Sequence, residues 1–457
     1  MNKFSALISL ILMAGAGGAA AHGQAPADTL ILDHVSVVPM TPAGHVLRDQ
    51  SVVLEHGRIA RIDAHGAGSL PANAQTIDAA GKWLIPGLID MHTHVENDRL
   101  LRLFTKQPDL PRGIVNTADT LAPYVANGVL EVLDLSAMPE TFAQRDDVET
   151  GRVLGPHIAT AAMIDGDPPV WPEGLTHVAA TPEAGRQAVR DAAADGYDFI
   201  KVYSNLDLPT FTAIVDEARQ RKMRVIGHIP ERRKAVTRSF FQPGFDLVGH
   251  AEEFAQQTAE PSLADIPKYV KMAKDNHTWL IATLSLDERI LEAMKDPDSL
   301  KRRPELAYLN PVLRSVVLEH NPYVAARSPE MIAHMERLVA FNRALVKAFQ
   351  RADVPVLAGT DSPVPGVMPG FSLHDELEAL VKAGLTPEQA LSGATRSAAE
   401  WLHADQDRGT VAVGKRADLV LLDGDPLRDI ANTRRIAAVI VNGQYHSRAD
   451  LEARLHR

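Results

Sequence analysis

Residues 87–94 read GLIDMHTH, an apolar run that ends in two histidines one residue apart. Side chains alternate faces along a β-strand, so His92 and His94 point the same way, one pleat apart. Two imidazoles so placed can grip one metal ion, and they equally suit a solvated pair at a strand end. The rest of the chain decides. From Leu84 to His403 short apolar runs recur, each closing on a polar or charged residue: LIPGLIDMHTH, GVLEVLDLS, HIATAAMI, DFIKVYS, RVIGHIP, DLVGHAE, TWLIATLS and VPVLAGTDS. Segments between them, such as TPEAGRQAVRDAAADG and LPTFTAIVDEARQRK, open on capping residues and carry apolar residues at helical spacing. Eight alternating β and α units are the arithmetic of a closed barrel. The last crossover, Leu286 to Asp353, is long and is expected to hold extra helices.

Outside this middle the texture changes. From Thr29 to Trp83 the stretches TLILDHVSVV, SVVLEHGRIARIDA and QTIDAAGKW alternate apolar and polar residues between turn signals, and read as short antiparallel strands. ADLVLLDGD and IAAVIVNGQ repeat that texture near the end. The fold expected is therefore α/β: a (β/α)8 TIM-like barrel over 84–405, with a small β-sandwich domain built from both chain ends, 22–83 and 406–457.

With 457 residues the chain can bury a large core. A net charge of −11 and a pI near 5.9 argue against a nucleic-acid partner, which needs a basic face. The absence of cysteine excludes disulfides, thiolate zinc sites and cysteine nucleophiles. The opening MNKFSALISLILMAGAGGAAAHGQA reads as an export signal over residues 1–21: Lys3 in the n-region, Phe4 to Ala14 apolar, and Ala19-Ala20-Ala21 at the cleavage site. Its apolar part is shorter than the ~20 residues that span a bilayer. The expectation is an exported protein, periplasmic or secreted, without stable membrane insertion after signal removal; an uncleaved anchor is the alternative. A homo-oligomer is compatible with this composition.

The ends of the expected strands carry His92 and His94 (first), Lys201 (fourth), His228 (fifth), His250 (sixth) and Asp361 (eighth). In such barrels reactive groups sit where strands finish, on the face built by the βα loops. Singly each has a bland reading: a hydrogen-bonded core histidine, a snorkelling lysine, a turn aspartate. Jointly they would be buried at one rim without partners, and a bound cation removes that cost.

The ordered set PGLIDMHTH, FIKVYSN, VIGHIP, LVGHAE and AGTDS, closing with GTVAVGKRADLVLLDGDPL, resembles the amidohydrolase superfamily of metal-dependent hydrolases, in its imidazolonepropionase-related or prolidase-like branch. The resemblance covers nearly the whole chain after the signal. It implies two divalent metal ions, with His92, His94 and Asp361 on the more buried one and His228 and His250 on the other. It also implies that Lys201 bridges them as a carbamate, since an ammonium cannot bind a cation, and that Asp361 shuttles the proton. Histidine with carboxylate-like oxygen suits zinc (Zn2+), with manganese or iron as alternatives. Hydrolysis by metal-activated water, without a covalent intermediate, follows from such a site.

Signals for the substrate are weaker. Tyr203 shares the inward face of Lys201 and suits either a substrate hydrogen bond or core packing. Trp171, in IDGDPPVWPEGLTH, suits a pocket wall or a stiff surface loop, and Arg232 or Arg233 in ERRK a substrate carboxylate or a solvated face. Ser372 and Asp375 have capping-box spacing, and His374 beside them is a candidate substrate contact. The leading expectation is a hydrolase of the C–N bond in a small amide or peptide, such as a dipeptide or N-acyl amino acid. A lactonase or esterase, or a metal-bearing binding protein without catalysis, are the competing readings.

Overall fold

The strand Val129–Asp134, sequence VLEVLD, is buried along its whole length, as expected of a strand covered on both faces. It is the second of eight parallel strands in the computed structural model, which describes residues 29–42, 44–71, 73–105, 109–111, 113–230 and 237–455. The others are Leu88–Thr93, His157–Asp165, Phe199–Val202, Arg224–Gly227, Phe245–Val248, Trp279–Ile281 and Val356–Leu357. They pair in chain order. The first meets the eighth through Met91 N–H to the Ala358 carbonyl and Asp361 N–H to the His92 carbonyl, 3.1 and 2.7 Å, and a Thr93–Ser362 bridge. All eight apolar runs named above contribute one barrel strand each.

Alternation divides each strand between two cores. Phe199 and Ile226 belong to the cluster inside the barrel, with Ile89, Leu247 and Leu357. Ile200, Val202 and Val225 pack outward against the helices. The same phase turns Lys201 and His228 inward. Trp401, at the end of helix Arg396–Trp401, plugs the opposite mouth with its ring 5.0 Å from Phe199.

Crossover helices start where the sequence supplies caps. Thr181 accepts from Ala184 N–H ahead of Pro182–Asp195, and Asp207 from Thr210 N–H ahead of Leu208–Gln220. The long last crossover holds the helices Leu284–Lys295, Pro311–Glu319, Pro322–Ala325 and Pro329–Arg351.

The chain ends form one eight-stranded sheet. Its centre corrects two expectations. Leu84–Pro86, assigned from sequence to the barrel, pairs antiparallel with Leu419–Leu422 in this sheet. Gln75–Asp78 and Trp83–Pro86 run parallel to Thr29–Val37 rather than antiparallel, because their connections cross over instead of turning back. The sheet folds over its own apolar face: Arg58, on an edge strand, bridges Arg416 just ahead of the inner strand Leu419–Leu422, and Leu32, Val52, Ile59, Leu84, Leu419 and Ile440 share one cluster. No described helix is long and apolar enough to cross a membrane.

His157, at the start of the third barrel strand, ties the barrel to this sheet. Its Nε2 lies 3.2 Å from Asp418 Oδ2 and its Nδ1 2.6 Å from Glu149 Oε1. Burial disfavours the charged ring, but the Asp418 and Glu149 hydrogen bonds outweigh it and raise the pKa to about 9. A folded-state pKa raised above the unfolded 6.5 gives stability that is complete below pH 6.5 and is lost as pH rises through 9. The tie is expected to contribute about 3 kcal/mol, falling away between pH 7 and 10. Urea unfolding at pH 7 and pH 10 checks this: wild type loses stability over the interval, and His157→Gln, weaker at pH 7, loses far less. Equal losses in both would detach His157 from the effect.

Candidate metal centre

The first strand hands His92 and His94 to the rim of the barrel, and the eighth hands it Asp361. His92 Nε2 and His94 Nε2 lie 3.2 and 2.9 Å from Asp361 Oδ1. Asp361 takes the left-handed backbone conformation, φ +63°, which aspartate and asparagine tolerate better than most residues. Behind it the two strands are locked by Asp90, fully buried, which accepts from Thr360 N–H at 3.0 Å, Thr360 O–H at 2.7 Å and His92 N–H at 3.2 Å.

His228 and His250 complete the ring cluster. His250 lies 4.4 Å from His92 and 5.2 Å from His228, between ring centres. Each of the four imidazoles has its Nδ1 engaged on the outer side. His92 Nδ1 donates to the Gly249 carbonyl at 3.1 Å, and His94 Nδ1 is 2.6 Å from Ser136 Oγ. His228 Nδ1 meets Ser204 Oγ and Glu253 Oε1 at 2.9 and 3.1 Å, and His250 Nδ1 meets Thr283 Oγ1 at 2.9 Å. Such partners fix the ring and turn Nε2 to the centre, as outer partners do for ligating histidines.

Lys201 enters the same cavity fully buried. Burial lowers its ammonium from 10.5 to about 8, against the opposing pull of Asp361 and Glu253. Gly249 makes room for it: a Cβ there would stand 3.2 Å from Lys201 Nζ. Burial, with the charges of Lys201 and its fellow histidines, also holds His92 well below its ordinary pKa and keeps it neutral, the form that binds metal. Four inward imidazoles, one carboxylate and one buried amine fit a cationic cofactor.

Leu100, Leu101, Met163, Leu175, Leu313 and Val364 form the apolar part of the wall. Trp171 belongs to that wall, its Nε1–H donating to Tyr203 Oη at 2.9 Å. The Tyr203 ring lies 4.0 Å from the His228 ring, so Tyr203 also faces the cavity.

His374 does not. It is buried on helix Phe371–Ala383, with Nε2 donating to the Asn127 carbonyl at 3.1 Å and Nδ1 3.0 Å from Thr433 Oγ1. Burial, aided by Arg434, pushes its pKa to about 3. It is a structural residue, and the expected substrate contact is withdrawn. The capping-box reading of Asp375 fails as well. Gly370 is the N-cap, Ser372 Oγ accepts from Met368 N–H at 2.8 Å, and Asp375 pairs with Arg289, Arg303 and Arg434 at 3.2, 2.9 and 2.6 Å. Burial opposes its charge, yet the three arginines hold its pKa at about 2. Arg232 and Arg233 lie outside the described residues. Sequence reasoning missed Asp90, Gly249 and the outer partners Ser136, Ser204, Glu253 and Thr283. Only Asp90 and Gly249 carried a signal, an acid inside an apolar strand and a glycine directly before His250.

Residues 83–445 match the amidohydrolase family. The chain is 25% identical to an imidazolonepropionase of Cupriavidus taiwanensis, over 94% of this chain and 98% of that one. Among solved structures it is similar to a prolidase complexed with N-methylphosphonate-L-proline: TM-score 0.70, 22% identity, 92% of this chain and 99% of that one. It is also similar to a Xaa-Pro dipeptidase with methionine bound in the active site: TM-score 0.68, 19% identity, 92% and 100% of the two chains. With the family matched over most of its length, the chain belongs to the amidohydrolase family and is a hydrolase of carbon–nitrogen bonds.

Proposed function

We propose that the protein is an exported binuclear metallohydrolase that cleaves the amide bond of a small substrate, a dipeptide or N-acyl amino acid with an apolar side chain. The observation that carries this reading is the convergence of His92, His94, Lys201, His228, His250 and Asp361 in one cavity whose remaining wall is largely apolar. The names of the relatives, prolidase and Xaa-Pro dipeptidase, support a peptide-like substrate.

In this reading His92, His94 and Asp361 would hold the inner ion and His228 and His250 the outer one. Zinc suits the donor set. When bound, such ions lower the pKa of water and polarise a carbonyl. Lys201 would be their shared ligand once its amine adds to carbon dioxide, forming the N–C bond of a carbamate and releasing one proton. Its pKa of about 8 leaves roughly a tenth of the amine neutral at pH 7, hundreds of times more than at an ordinary lysine. Asp361 accepts the proton of the attacking water and passes it to the leaving nitrogen, which is too basic to depart unprotonated. Trp171, Met163 and Leu175 take the apolar side chain, and Tyr203 adds its ring and hydroxyl to that wall.

Matched N-acyl and O-acyl substrates, bearing leucine or aspartate side chains, test this on zinc-loaded protein. Expected are amide turnover, a preference for leucine of about tenfold or more, and close to two ions per chain by elemental analysis. Turnover of esters alone would favour the lactonase or esterase reading, and one ion or fewer after zinc supplementation would remove the binuclear site.

Export concerns residues 1–21, which lie outside the described residues. The mature chain is expected to begin at His22 or slightly later, as N-terminal sequencing of periplasmic protein will read. Cytosolic protein retaining Met1 would overturn this.

A further inference from the structure

Behind the loop that follows His94 lies a second cavity, separate from the metal centre. It is lined by Glu96, Asp119, Tyr308, Asn310, Arg314 and Arg454, among others. Glu96 is 5% exposed, and its carboxylate has no hydrogen bond or ion pair among the described residues. A buried carboxylate without a partner is costly, so its presence beside a cavity asks what it meets there. Asp119, Arg314 and Arg454 line the same cavity, and no salt bridge joins any two of the four. Two acids and two guanidinium groups thus face one space without neutralising each other across it. The helix Thr117–Ala126 also begins here, its N-cap Asn116 and first-turn residues Asp119 and Thr120 on the lining.

This arrangement matches a small molecule that carries both charges close together. We infer that the cavity is a second, non-catalytic site for a free α-amino acid, its ammonium held by Glu96 and Asp119 and its carboxylate by Arg314 and Arg454. Arginine suits the carboxylate end because its fork donates two parallel hydrogen bonds. The site assignment stands whatever amide the metal centre cuts, although an amino acid is also what hydrolysis of a dipeptide or N-acyl amino acid releases. Helix Pro311–Glu319 connects the two places. Leu313 faces the metal cavity, while Pro311 and Arg314 face this one, so an occupant bears on a wall of the metal site.

Calorimetric titration of the zinc-loaded full chain tests the inference, using glycine, L-leucine, L-lysine and L-glutamate, with isoamylamine and 4-methylvalerate as single-charge fragments of leucine. At least one amino acid is expected to bind saturably below 10 mM, about tenfold tighter than either fragment. Glu96→Gln and Arg314→Ala should each weaken it by about tenfold or more, while Asp361→Asn leaves it intact. Should Glu96→Gln fail to fold, the exposed Asp119→Asn carries the same test. Saturation by none of the four overturns the site. So does affinity unchanged in the Glu96, Asp119 and Arg314 variants, or affinity lost only in Asp361→Asn, which would place the ligand at the metal centre. Failure here leaves amide turnover untouched, so it is distinguishable from failure of the proposed reaction.

Discussion

Asparagine at position 361 is expected to lower amide turnover by about 10²–10⁴-fold, the usual worth of general acid–base catalysis, while most of the bound metal stays. The two effects separate because Asp361 has two duties in the proposed reaction. As a ligand it needs an oxygen near His92 and His94, and the asparagine carbonyl supplies one at nearly the same place. As a proton shuttle it needs a basic oxygen, which the amide lacks. The backbone favours this probe: at φ +63° asparagine is well tolerated, whereas β-branched or bulky residues would disturb the loop. Activated esters have leaving groups that need no proton, so their loss should be smaller than that of amides. Equal losses on both would leave Asp361 as a ligand only, and full amide turnover would remove it from the mechanism.

Lys201→Ala is expected to be nearly inactive and to lose metal, with partial recovery in acetate or propionate, whose two oxygens can stand where the carbamate would. The replacement removes a fully buried amine held close to Gly249 and leaves a space of matching size. Lys201→Met supplies the control, since it fills that space with an uncharged chain. It should be equally inactive and should not recover in either acid. Near-normal turnover of Lys201→Ala would overturn the bridging role, and equal recovery of both variants would show that the acids act elsewhere.

The barrel was legible because its strands are short apolar runs bounded by polar residues, a pattern that depends on neighbours in sequence. The six rim residues were legible for the same reason: each directly follows or closes such a run. What escaped depends on distance along the chain. Asp375 looked like a local cap at the spacing Ser372 to Asp375, yet its charge is set by Arg289, Arg303 and Arg434, none of them on its own helix. His374 looked like a rim residue because Asp361 precedes it closely, but helix Phe371–Ala383 turns it toward Asn127 and Thr433. The direction of Gln75–Asp78 was invisible for a related reason. Alternation marks a strand's faces and says nothing of which neighbour it joins.

His92 and Asp361 stand on either side of the seam where the first barrel strand meets the last, locked by Asp90 and Thr360. On the proposed metal assignment an inner ion would have no local precursor, because His92, His94 and Asp361 come together only when the ring has shut. A fragment ending before residue 361, or a chain nicked so that the seam opens, would be devoid of activity rather than weakened. Metal retention would then gauge completeness, with loading an event of the finished molecule instead of the nascent one.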